Sequence, residues 1–150
     1  ETASSLGLEG RVLFTGRIIH SMVYHVLRQA DIYVSLCVYG GLGNDVLEAM
    51  RTGKCILALD TCDVTGRDEQ FQDPDLRRCL RLVSRGRIHE SLREQMVGLL
   101  EDRARIVSLG EKIGAWAKQN VWPWDDRLRY EERILRTVTR QHRCRDRGSL

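Results

Sequence analysis

The sequence predicts an α/β fold in which a parallel sheet is covered by helices on both faces. Short apolar runs of strand type alternate with segments whose apolar residues recur at helical spacing. The strand runs are almost continuously apolar, as expected for strands that are buried on both faces of a parallel sheet. A glycine-rich turn follows one of these runs and leads directly into a helical pattern. This order is typical of Rossmann-like folds.

The first half of the chain alternates between helices and strands. Gly7 predicts the end of a first helix. Residues 12–15 form a short apolar run that predicts a strand, and Ser21 is expected to cap the helix that follows. Two further strands are predicted at residues 32–38 and at Cys55–Leu59, with a helix at Asn44–Arg51 between them.

The second half is predicted to be mostly helical. Residues 61–78 are polar and irregular, and residues 80–83 are expected to form the last strand. Two helices are indicated by apolar residues at helical spacing, namely Ile88, Leu92, Met96 and Leu99 in the first and Ile106, Leu109, Ile113 and Trp116 in the second. Pro123 is expected at the first position of a final helix.

Composition bounds the class of protein. A chain of 150 residues with a net charge of +3 is long enough for one domain with its own core. It contains no apolar run of membrane-spanning length, and its first residues lack the pattern of a signal peptide. The five cysteines are odd in number and form no Cys-x-x-Cys pair, so we expect a reducing, cytoplasmic location without disulfides or a zinc site. Cys37 and Cys55 are expected to be buried in strands.

The glycine-rich turn is the strongest candidate for a functional site. Gly40, Gly41 and Gly43 lie between a predicted strand and a helix. Glycine lets backbone amides approach an anion, and a helix N-terminus presents unpaired N–H groups with a partial positive charge. Glu48 lies close enough to this helix start to reach a polar group beside a phosphate, such as a ribose diol. The pattern favours nucleotide binding.

Several motifs together resemble the donor-binding domain of retaining GT-B glycosyltransferases of the group 1 type. Their donor motif reads Tyr-Glu-Gly-Phe-Gly and then Glu-Ala-Met; the matching residues here are Tyr39, Gly41, Gly43, Glu48, Ala49 and Met50. Residues 51–58 resemble the family's Ala-x-Gly-Lys-Pro-Val-Val-Ala. Residues 6–16 resemble its Leu-Gly-Leu-x-x-Arg-Val-x-Phe-x-Gly. The resemblance extends from about Leu6 to about Arg136, with a poor stretch at residues 61–78.

The resemblance implies a nucleotide-diphosphate sugar, UDP- or GDP-linked, from which a hexose passes to an acceptor hydroxyl with retention. It implies that Glu48 holds the ribose and that the loop at Arg17 lies near the diphosphate. The implied donor-binding residues are Arg17, Gly41, Leu42, Gly43, Asn44, Asp45 and Glu48. Where the family has its first, sugar-contacting glutamate this chain has Gly40, so no catalytic residue is assigned. The family needs no metal and no cofactor beyond the donor.

Domain limits follow from the same resemblance. Residues 1–142 are expected to form the donor-binding domain without its first strand, and residues 143–150 a polar basic tail. The N-terminal acceptor-binding domain of the family is absent from this sequence, which suggests a partner that carries it. The alternative is a non-catalytic nucleotide-binding module or one subunit of a split glycosyltransferase. A nicotinamide-binding domain fits poorly, because the glycine pattern lacks its third spaced glycine.

The C-terminal helix is basic, with eight arginines and few acids from Arg127 to Arg147. A charged outer face is the commonest explanation, and a peripheral contact with an anionic membrane is an alternative. Interleaved aromatic residues are lacking, so no nucleic-acid partner is expected. Trp122, Trp124, Leu128 and Ile134 would be left uncovered in the absence of the acceptor-binding domain, and we expect the chain to self-associate through them.

Overall fold

The computed structural model describes residues 2–37, 42–60 and 73–147, with side chains described as far as residue 139. Its helices are α1 (Thr2–Ser5), α2 (His20–Gln29), α3 (Asn44–Arg51), α4 (Pro74–Cys79), α5 (Ile88–Glu101), α6 (Arg103–Asn120) and α7 (Trp124–Arg147). Its strands are β1 (Ile32–Ser35), β2 (Cys55–Leu59) and β3 (Arg81–Val83). A short 3₁₀ turn at Arg85–Arg87 leads into α5.

The three described strands form a parallel sheet in the order β1-β2-β3. Ile32 is paired with Cys55 at the start of β1, and Leu57 is paired with Arg81 at the start of β3. Each strand therefore returns to the same sheet through a helical crossover, as the predicted α/β class requires. The prediction of a Rossmann-like parallel sheet flanked by helices, with a helical C-terminal part, is confirmed.

Strand β2 is the centre of the core and is buried along its whole length. Its side chains alternate between two apolar clusters, because successive residues of a strand point to opposite faces. Ile56 and Ala58 join the cluster that includes α3, while Cys55, Leu57 and Leu59 join the cluster that includes α5. Both faces of the sheet are thus covered, which is why the sequence of β2 is apolar at every position.

Helix α6 packs so closely against the turn after α3 that its backbone contacts the backbone of that turn. Gly53 has a φ of +68°, which L side chains rarely adopt, and Gly110 of α6 lies against its carbonyl oxygen. A Cβ added at Gly110 would collide with that oxygen, and one added at Gly114 would lie 3.3 Å from the Gly53 Cα. The two glycines of α6 therefore let the helix seat directly on the α3–β2 turn.

The predicted strand at residues 12–15 is wrong, since the structure shows no strand or helix there. Leu13 and Phe14 are 86% and 81% exposed, and the described sheet places no strand beside them. A strand needs a neighbour to satisfy its backbone, and the apolar run alone does not provide one. Strand β1 ends at Ser35 rather than at the predicted residue 38, which lies outside the described residues.

Smaller differences concern caps and cysteines. Helix α2 begins at His20 after Ile19, so the predicted cap at Ser21 is wrong. Cys55 is buried in β2 as predicted, whereas Cys37 lies beyond β1 and is exposed, so its predicted burial is wrong. Helices α3, α5 and α6 follow the predicted spacing, and α7 begins directly after Pro123.

Candidate functional site

Helix α3 presents its N-terminus at the end of the sheet where the strands finish, because β1 runs into it through residues 36–43. Gly43 is its N-cap, and no side chain caps that position among the described residues. Leu42, Gly43, Asn44 and Asp45 of the predicted donor site are thus brought to one helix end. Gly40 and Gly41 lie outside the described residues.

Glu48 lies on the outer side of α3, with 28% of its side chain exposed. Its Oε1 atom is 3.8 Å from Nε2 of His20, the first residue of α2. Arg17, three positions before His20, is exposed in the connection that leads into α2. The structure therefore brings the start of α2 beside Glu48, and His20 is a neighbour that neither spacing nor motif had indicated.

Asp45 has a structural partner in β1. The Tyr33 hydroxyl donates a hydrogen bond of 2.6 Å to Oδ2 of Asp45. Burial and this hydrogen bond raise the pKa of the Tyr33 hydroxyl well above its usual range, so the phenol remains a donor at all ordinary pH values. The Asp45 side chain thereby ties the first turn of α3 to β1.

An open cavity of about 680 Å³ adjoins Glu48 on the outer face of α3. It is closed on the other side by the connection after α6 and by the first two turns of α7. Its lining residues are Leu42, Asn44, Leu47, Glu48, Arg51, Asp73, Trp116, Asn120, Val121, Trp122, Pro123, Trp124, Arg127, Tyr130 and Glu131. The volume falls within the roughly 300–1,000 Å³ that is usual for small-molecule sites.

Two hydrogen bonds hold the walls of this cavity in place. Arg51 of α3 donates from Nη1 to the carbonyl oxygen of Val121 at 2.7 Å, which fixes the connection between α6 and α7. Trp116 donates from Nε1 to Oδ2 of Asp73 at 3.2 Å. Asp73 also caps α4 through the amides of Asp75 and Leu76, and these backbone hydrogen bonds are the main reason that the Asp73 pKa is lowered.

The aromatic part of the cavity was not predicted as a ligand site. The sequence predicts Trp116 on a helix face, and it predicts Trp122 and Trp124 on a surface left uncovered without the acceptor-binding domain. What the sequence does contain is three tryptophans within nine positions. Without the fold, nothing indicates that this segment returns to the outer face of α3.

In the parts of the chain that the structure describes, no group of three His, Cys, Asp or Glu side chains is placed to hold a metal ion. None of the described helices combines the length and the apolar character needed to cross a membrane.

The fold and the placement of Glu48 beside a helix N-terminus define a Rossmann-like α/β domain with a site at the carboxyl ends of its strands. Residues 1–102 match the family profile described as glycosyl transferases group 1, which covers more than half of the chain. The protein belongs to this family of glycosyltransferases. Searches of curated proteins and of solved structures each gave no significant match.

Proposed function

We propose that this chain is the donor-binding part of a retaining glycosyltransferase and that it binds a nucleotide-diphosphate sugar. The diphosphate would lie at the N-terminus of α3, and Glu48 would accept hydrogen bonds from the ribose diol. The hexose would pass to an acceptor hydroxyl, and an acceptor-binding part of the enzyme would complete the active site.

The observation that carries this proposal is the position of Glu48. It projects from the second turn of α3, partly exposed, and among the described side chains its imidazole neighbour His20 lies 3.8 Å away. A carboxylate that is neither buried nor held by an arginine is available to a ligand. It lies within one helical turn of the unpaired amides at Asn44 and Asp45, so one nucleotide can contact both.

Helix α3 is also suited to stabilise a leaving diphosphate. A helix N-terminus carries roughly half a positive charge, and its amides are directed along the helix axis towards the anion. His20 lies beside Glu48 and adds an imidazole next to the proposed ribose position. Preorganised donors of this kind can stabilise developing negative charge without a metal ion.

The test is calorimetric titration of the chain with UDP, GDP, ADP and their hexose conjugates. We expect one base to bind with a dissociation constant between about 1 μM and 1 mM. Glu48→Ala is expected to weaken that binding by about 1–3 kcal/mol, because a charge-assisted hydrogen bond to the ribose is lost. Glu111→Ala, which removes an exposed carboxylate from α6, is the matched control and is expected to leave affinity unchanged.

Equal affinities in the Glu48 and Glu111 variants would remove the assigned role of Glu48. No binding of any nucleotide by the folded chain would overturn the donor-binding proposal.

The second candidate is a non-catalytic member of the family, or one subunit of a split enzyme. The observation that favours it is Gly40, which stands where the family has its sugar-contacting glutamate. Such a protein would still bind the nucleotide, so the titration is followed by an assay of donor hydrolysis with the Gly40→Glu variant and an acceptor-binding domain. Hydrolysis that appears only with Glu at position 40 would favour the non-catalytic alternative.

A further inference from the structure

All three tryptophans of the chain line the cavity on the outer face of α3. Trp116 belongs to α6, Trp122 to the connection after it, and Trp124 to the first turn of α7. Tyr130, almost two turns further along α7, completes the aromatic wall. Trp122 and Trp124 are each about half exposed, so part of each indole is accessible to a ligand, although the Arg127 guanidinium lies over one face of Trp124.

The aromatic rings are held in fixed orientations before any ligand arrives. Trp122 and Tyr130 meet edge to face, with ring centroids 5.0 Å apart and planes at 89°. The Arg127 guanidinium lies 5.3 Å from the centroid of the Trp124 ring. The indole of Trp116 is oriented by its hydrogen bond to Asp73. A ligand that stacks here therefore orders little of the protein, which reduces the cost of binding.

Polar side chains surround these rings and retain hydrogen-bonding capacity. Asn120 donates to the carbonyl oxygen of Trp116, and its own amide oxygen is available. Glu131 accepts from Arg127 through Oε1, which leaves its second oxygen. Asn44 and Glu48 line the opposite wall. The cavity thus combines aromatic faces with several acceptors and amides.

The charges of the lining argue against an anionic ligand. Glu48, Asp73 and Glu131 contribute three carboxylates, against the guanidinium groups of Arg51 and Arg127. Arg51 already donates to the Val121 carbonyl, and Arg127 is paired with Glu131. A phosphate placed here would meet more negative than positive charge. A purely apolar ligand would in turn leave these carboxylates without partners, which is costly.

We propose that this cavity binds the ring of a neutral saccharide. One face of a hexose ring carries polarised C–H groups, which are attracted to the negative face of an aromatic ring. Its rim carries hydroxyl groups that donate to carboxylates and amide oxygens. The saccharide stacks on Trp122 or Trp124 and donates to Glu131 and Asn120. This site shares Leu42, Asn44 and Glu48 with the nucleotide site proposed above, but its aromatic wall and Glu131 lie outside that site, so the two proposals can fail separately.

The three tryptophans themselves provide the measurement, because they are the chain's only tryptophans and all of them border the cavity. The full chain is titrated with methyl α-D-glucoside, methyl α-D-mannoside and maltose, and tryptophan emission is followed; UDP is titrated separately. We expect a saturable change with at least one saccharide. Trp124→Leu is expected to weaken its binding about tenfold, with Trp116 and Trp122 still reporting.

The matched control is Tyr24→Leu, which removes an exposed aromatic ring on α2 outside the cavity. It is expected to leave saccharide affinity unchanged, and circular dichroism is used to check that Trp124→Leu and Tyr24→Leu are folded. Glu131→Ala is a second test. It is expected to weaken saccharide binding without altering UDP binding. No saturable response to any saccharide, a response to UDP alone, or an unchanged affinity in both cavity variants would overturn the proposal.

Discussion

At the scale of single residues, the contact between Gly110 and Gly53 decides how closely α6 approaches the core. Neither glycine could be assigned this role from the sequence, where they lie in separate predicted elements. A glycine inside a helix usually weakens it by about 1 kcal/mol relative to alanine. Here the missing Cβ is required, because the backbone carbonyl of Gly53 occupies the space that a side chain would take.

Gly110→Ala is therefore expected to destabilise the fold by about 1–3 kcal/mol, because backbone must shift to relieve the collision. The matched control is Gly98→Ala in α5, where an added Cβ meets nothing within 4 Å. That change is expected to be neutral or to stabilise by up to about 1 kcal/mol through helix propensity. Denaturant unfolding of both variants checks the difference, and equal midpoints would contradict the packing described for α6.

At the scale of elements, the sequence correctly predicted the helices and strands whose spacing of apolar residues is set by burial. The bounds of α3 and β2 agree with the prediction because α3 has one buried side and β2 is buried on both faces. The prediction of a strand at residues 12–15 was wrong because strand pairing depends on neighbouring strands that the local sequence does not reveal. The donor motif could be recognised from its own residues. The aromatic cavity forms only because α7 packs near the outer face of α3, which no local sequence pattern reveals.

Asp73 links two elements, since it caps α4 and also bonds to Trp116 of α6. Its pKa is lowered from the ordinary value of 3.8 chiefly by the backbone amides of α4. The stabilisation that it gives is therefore present above pH 3.8 and is lost as pH falls through the lower pKa of the folded state.

Asp73→Asn keeps a good capping residue but removes the charge. We expect the stability advantage of the wild type over this variant to be largest near neutral pH and to shrink below about pH 4. Thermal unfolding followed by circular dichroism at a series of pH values measures this. Asp31→Asn, at an exposed position before β1, is the control and is expected to show no such trend. A constant difference across the series would mean that the charge of Asp73 contributes nothing.

At the scale of the whole molecule, α7 is poorly integrated into the core. No residue of α7 is buried in the portion whose side chains are described. Leu128, Ile134, Leu135 and Val138 are between 44% and 66% exposed, so one side of the helix carries an uncovered apolar stripe. The ion pairs along α7 are exposed and contribute little each. The peripheral membrane contact considered for this helix stays a prediction.

The uncovered stripe predicts self-association of the isolated chain. Light scattering after size exclusion is expected to give a mass above the 17.3 kDa of one chain, increasing with concentration. Leu135→Glu is expected to shift the mass towards that of the monomer. Thr137→Glu, two residues away and hence on nearly the opposite side of the helix, is expected to leave it unchanged. A monodisperse wild-type monomer would contradict the prediction.

The register of the sheet has a consequence for the order of folding. Each described strand pairs with the next described strand, so β1, α3 and β2 close a short loop, while Gly110 is separated from Gly53 by a much longer stretch of chain. Because the entropy lost on loop closure grows with loop length, the β1–α3–β2 unit is expected to form early and the docking of α6 late. An obstruction at Gly110 would then act mainly by accelerating unfolding and would leave the refolding rate nearly unchanged.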